Sequence, residues 1–131
     1  MPNLTIKKFV DFFWVTFDEI FDSGSKDTEH AYEQLLVSVL DISKDILSTL
    51  DKDDEVSGLG SSKVNLPLLA MISEIQLVAP GVVAKVAGNS VSTKKALSIL
   101  ENYSTEKKLL LRKKFLYREQ ADVYLFDDFR K

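Results

Sequence analysis

Few residues in this chain are equipped to make or break bonds. Its 131 residues include no cysteine and one histidine, His30. That excludes a thiol nucleophile, a disulfide framework and any cysteine-ligated metal site. A lone imidazole likewise offers no His/Cys cluster for zinc. His30 lies near the start of an acidic helical stretch and reads as an exposed surface residue rather than a base or a ligand. The twenty Asp and Glu residues stand at ordinary helix-face spacings, and no pair among them is marked out as a buried acid and base. The expectation is a protein that is not an enzyme and needs no cofactor or metal.

Two short runs in the polar stretch 51–65 imitate ligand loops. Asp51, Asp53 and Glu55 alternate as calcium ligands do. Val56, however, stands where the tight turn needs Gly, and Ser62 stands where the closing Glu belongs. In Gly58-Leu59-Gly60-Ser61-Ser62-Lys63 the glycines are two apart rather than five apart ahead of the Lys, and no strand precedes them. Neither run is read as a site.

Binding chemistry is better supplied, through charge. The overall net charge is −3, which taken alone argues against a polyanion partner. Residues 1–60 hold five Lys against thirteen acids, or 5 − 13 = −8; residues 61–131 hold twelve Lys and Arg against seven acids, or 12 − 7 = +5. Within 94–118 eight cations face only Glu101 and Glu106, a net +6. Such asymmetry suits an acidic half joined to a half that binds a polyanion. It equally suits a solvated basic face, or two halves that attract each other.

Hydrophobic spacing supplies the elements that would carry these charges. Ile6, Phe9, Val10, Phe13, Phe17, Ile20 and Phe21 recur at threes and fours, predicting a helix over about 4–22. Phe12, Trp14 and Val15 widen its apolar surface, so most of its sides need covering. Phe9, Phe12, Phe13, Trp14 and Phe17 are therefore candidates for a dimer or partner interface. After Ser23-Gly24-Ser25, Asp27 or Thr28 caps a second helix over about 28–50. The two form an acidic helical hairpin, assigned to 1–56. Residues 57–65 have linker composition, and 66–131 form the second unit. Pro67 and Pro80 suit the starts of helices over about 66–78 and 81–87. Ser92 or Thr93 caps another over about 93–103.

From 106 to 126 two readings compete. Leu109, Leu110, Leu116 and Tyr117 share a face if the segment is helical. Leu109, Leu111, Phe115 and Tyr117 alternate if it is a strand, and Val123-Tyr124-Leu125-Phe126 is rich in strand formers. The hairpin reading, with a turn at Arg118–Asp122, is preferred.

Lys7 and Lys8 precede an apolar run, but Asp11 breaks it and acids follow it, so neither a signal peptide nor a membrane span is expected. An intracellular protein, in cytoplasm or nucleoid or nucleus, is the expectation.

The run Val83-Ala84-Lys85-Val86-Ala87-Gly88-Asn89-Ser90-Val91-Ser92-Thr93-Lys94-Lys95-Ala96-Leu97 resembles a helix-turn-helix. With the preceding helix and the basic hairpin, residues 66–126 are similar to winged-helix DNA-binding domains. The resemblance implies a small Ala84 where two helices cross, a positive φ at Gly88, and Val91 and Ala96 as buried residues. It also implies a reading helix 93–103 that offers Thr93, Lys94, Lys95, Ser98 and Asn102 to duplex DNA. A wing would bring Arg112, Lys113, Lys114 and Arg118 to the backbone or minor groove. The expected fold is mainly α with a small β-hairpin, an N-terminal helical hairpin plus a winged helix; an all-α bundle is the alternative. The expected function is non-enzymatic duplex-DNA binding, as a transcription or replication and partition regulator. The alternative is a helical protein-interaction module, an adaptor, subunit or inhibitor.

Overall fold

The computed structural model describes residues 2–23, 27–50 and 66–118, with side chains for 7–23, 27–43 and 66–118. The calcium-like and phosphate-like runs of 51–65 and the aromatic run Val123–Phe126 lie outside the described residues.

Helical periodicity governs every described element. The six helices are α1 (Pro2–Ser23), α2 (Thr28–Leu50), α3 (Leu66–Val78), α4 (Pro80–Ala87), α5 (Val91–Leu100) and α6 (Thr105–Phe115). The first five fall where the spacing of apolar residues puts them, with ends shifted by at most three residues; α5 starts two residues earlier and stops three residues earlier than expected. Local chemistry sets the boundaries. Pro80 opens α4, where its missing N–H costs no hydrogen bond. Ser90 caps α5: its Oγ accepts the Thr93 amide at 3.1 Å and the Thr93 hydroxyl at 2.9 Å. Ser104 caps α6 by accepting the Lys107 amide at 3.1 Å. Glu106 in the first turn of α6 and Arg112, Lys113 and Lys114 in its last turn suit the helix dipole.

The preferred β-hairpin is overturned. Residues 105–115 are helix and no strand occurs among the described residues; the all-α alternative fits. The helix wins because its geometry buries Leu111, Arg112 and Leu116 on one side. Alternation would send Arg112 to the face opposite Leu111.

At the centre is α3, whose first ten residues, Leu66–Ile75, are all buried. A helix apolar on every side must be covered on every side. Here α2, α4, α5 and α6 all pack against it. The core is continuous from α1 to α6, so the acidic hairpin and the segment that follows residue 65 share one interior.

The aromatic face of α1 is part of that interior. Phe9, Phe13, Trp14 and Phe17 are buried, leaving Phe12, with Val15 and Phe21, exposed. Phe13, Trp14, Phe17 and Tyr32 form a ring cluster with centroids 5.2–5.6 Å apart. Covering these rings within the chain removes the need for a second subunit to do so. Of the interface candidates only Phe12 stays on the surface.

Candidate binding surfaces

The two arginines assigned to the wing turn inward. Arg112 is completely buried. Its Nε donates to Glu74 Oε2 at 2.9 Å and its Nη2 to Oε1 at 2.6 Å. This two-point fork is the geometry that guanidinium favours over ammonium. It ties α6 to the middle of α3. Arg118 forms a second fork on Asp18 of α1, Nη1 to Oδ1 at 3.2 Å and Nη2 to Oδ2 at 2.7 Å. Its guanidinium carbon lies 3.7 Å from the ring centre of Trp14, within the range of a cation–π contact. On the same indole, Nε1–H donates to the carbonyl of Leu116 at 2.8 Å. The chain reaches this arrangement through Tyr117, at φ 54, a left-handed conformation that costs a non-glycine residue roughly 1–2 kcal/mol. It directs Arg118 back over α1.

The helix-turn-helix residues also depart from expectation. Ala84 is exposed, so it does not sit at a close helix crossing. Gly88 has φ −61, the ordinary right-handed region. A side chain there would instead approach the Lys85 carbonyl to 3.3 Å. Val91 is 83% exposed rather than buried in the turn. Thr93 is fully buried and bonded to Ser90, so it cannot face DNA. The cap falls to Ser90 because the helix starts two residues earlier than expected.

The remaining predicted contacts are on the surface. Lys94, Lys95 and Ser98 are exposed on α5, Asn102 is exposed in the turn just past its end, and Lys113 and Lys114 are exposed on α6. None of the four lysines has an ion pair among the described residues. Ser98 and Asn102 donate to backbone carbonyls of their own helix at 3.2 and 3.4 Å. Lys107 lies over the Tyr103 ring, 4.3 Å from its centre, and burial pushes the Tyr103 hydroxyl pKa up. The outer side of α6 adds exposed Leu110 and Tyr117 to its lysines.

A cleft of about 500 Å³, which sequence reasoning missed, opens between α2 and the α4–α5 corner. Leu68, Leu69 and Ile72 of α3 form its floor, Val37 and Leu40 one wall, and Val86, Val91 and Ala96 the other. Glu33 and Lys85 bridge one end at 3.0 Å. Lys95 and the first turn of α5 line it too. Its signal in the sequence was slight: α2 carries Val37 outside the stripe Leu35, Leu36, Val39.

His30 is exposed, in a shallow dip with Glu33, Gln34, Val37 and Ser38. No group of three His, Asp or Glu residues placed to hold a metal ion occurs among the described residues. None of the described helices is long and apolar enough to cross a membrane. Comparison with family models, with curated proteins and with solved structures returned no match.

Proposed function

We propose that this chain is a helical protein-interaction module, an adaptor or subunit without catalytic chemistry, that offers a basic surface to an acidic partner. The observation that carries this reading is the helix over 105–115 and the turn that follows it to Arg118. It spends Arg112 and Arg118 on internal acids and leaves Lys94, Lys95, Lys113 and Lys114 in solvent. Forked arginines hold the fold; exposed lysines without ion partners are available to another molecule. Lysine faces of this kind contribute mainly association rate and partner choice.

A second reading is favoured by one specific observation. Lys94, Lys95 and Ser98 are exposed on α5 and Asn102 in the turn just after it, a combination that suits phosphates and base edges. In that reading the same helix binds duplex DNA, and affinity falls steeply with salt as counterions are released.

One experiment separates the two. The tagged full chain is recovered from its native cell extract with and without nuclease, beside a variant carrying Lys94→Glu, Lys95→Glu, Lys113→Glu and Lys114→Glu. A complex that survives nuclease and disappears with the variant supports the interaction module. Retention that nuclease abolishes, together with a salt-sensitive duplex mobility shift, supports DNA binding. A complex unaffected by the four substitutions overturns both.

A further inference from the structure

We infer that the cleft between α2 and the α4–α5 corner receives an acidic amphipathic helix of a partner protein, apolar stripe inward and acidic edge toward α5. This rests on the interaction-module reading and names the partner's chemistry. The volume of about 500 Å³ falls in the range of ligand sites, roughly 300–1,000 Å³. Its interior is aliphatic, while Val37 is 44% and Val91 83% exposed at the rim. Valines so placed on facing walls suit the spaced apolar anchors of a helix laid in a groove.

Direction comes from charge. On the α5 side stand Lys95, which has no ion partner among the described residues, and the positive end of the α5 dipole. On the α2 side stand Glu33 and Asp41. An occupant with Asp or Glu along one edge matches the first wall; on the second, Lys85 already holds Glu33, so the opposite edge can be neutral or basic. From Glu33 to Asp41 the wall runs two turns of α2, roughly 12 Å. The Glu33–Lys85 bridge closes one end, so a short segment fits and a long continuous helix must leave by the other.

The test is a titration of the isotopically labelled full chain with a synthetic helical peptide of about 14 residues, roughly 21 Å long. Leucines form its stripe, Glu lines one edge and Lys the other. The expected result is amide shifts at Val37, Leu40, Val86, Val91 and Ala96. Binding should weaken at least about ten-fold, or 1.4 kcal/mol, with Val91→Glu or Lys95→Glu. Both positions are exposed, so circular dichroism should remain that of the parent. Shifts confined to Lys94, Lys113 and Lys114 would overturn the cleft while leaving the basic-surface reading intact. Concentration-dependent shifts of the cleft residues in the protein alone would give the groove to a second copy and overturn the inference. No shift at millimolar peptide would also overturn it, whereas the proposed function stands or falls on the nuclease-resistant complex.

Discussion

The two ends of this bundle treat charge in opposite ways. Where α1, α3 and α6 meet, polar groups are locked: Arg112 on Glu74, Arg118 on Asp18, and the Trp14 indole on Leu116. Where α2 faces the α4–α5 corner a cleft opens, and the Glu33–Lys85 ion pair at its end is largely exposed on its lysine side. Arg112 and Arg118 serve the first end, while the lysines of α5 and of the outer side of α6 stand in solvent. The difference teaches that the excess of positive charge in 94–118 is two populations. One is structural, with forked geometry and little water. The other is solvated and free to meet another molecule.

The sharpest way to break this contrast is Arg112→Ala. It strands Glu74 as a buried charge and should cost about 3–5 kcal/mol, a large share of a typical margin of about 5–15 kcal/mol. Denaturant unfolding would measure it. Replacing both partners, Arg112→Met with Glu74→Leu, should recover most of the loss, because packed apolar side chains do not carry the desolvation cost. A single substitution costing under about 1 kcal/mol would show that the pair is not the anchor it is taken to be.

Trp14→Phe comes next. It removes the indole donor from a buried carbonyl, with an expected loss of about 2 kcal/mol. Arg118→Ala should cost less, under about 1 kcal/mol, because its partner Asp18 is 42% exposed and water screens the pair. Added salt should shrink the Arg118 effect and leave that of Trp14 unchanged.

Tyr32 offers a pH-dependent version of the comparison. Burial first, and then the nearby charges of Asp18 and Asp22, push its hydroxyl pKa up to about 12. The unfolded value is near 10. A raised folded pKa leaves its stabilising contribution whole below pH 10 and removes it as pH climbs toward 12, by about 3 kcal/mol at most. The buried hydroxyl has no hydrogen-bond partner among the described residues, so Tyr32→Phe should be neutral or slightly stabilising at pH 7. In alkali it should keep stability that the parent loses, as parallel unfolding curves would show.

The smallest effect belongs to the open end. Lys85→Ala should change stability by no more than about 0.5 kcal/mol, since the Lys85 side chain is 69% exposed. A loss above about 1 kcal/mol would mean that the bridge holds α2 and α4 together, and the distinction between the ends would narrow.

Much of this fold was legible in residue spacing. Phe9, Phe13 and Phe17 announce α1, and Leu36 and Val39 announce the buried side of α2. The last helix was not, because the residue at its buried centre is Arg112. A cation in the core erases the apolar stripe, and what remains of the pattern alternates like a strand. Two signals pointed the other way. Ser104 followed by Glu106, with cations at the far end, is helix-terminus chemistry. Glu74, the sole acid in the apolar run from Leu66 to Val78, asks for a buried cation elsewhere in the chain. Exposure of the α5 and α6 lysines follows from their spacing, but the cleft does not. It arises from how far apart α2 and α5 stand on α3, which no local pattern encodes.

Trp14 is the chain's one tryptophan, and the bundle has placed it where three segments converge. It is 7% exposed, in the cluster with Phe13 and Phe17, and capped by the Arg118 guanidinium. That makes it an optical gauge of one junction. Release of α6 from α1 would bring water to the indole and shift its emission to longer wavelength, whatever happens at the cleft. Far-ultraviolet dichroism reports the helices together. Superimposable curves from the two signals would mark a single cooperative unit; an earlier shift in emission would show that α6 lets go first.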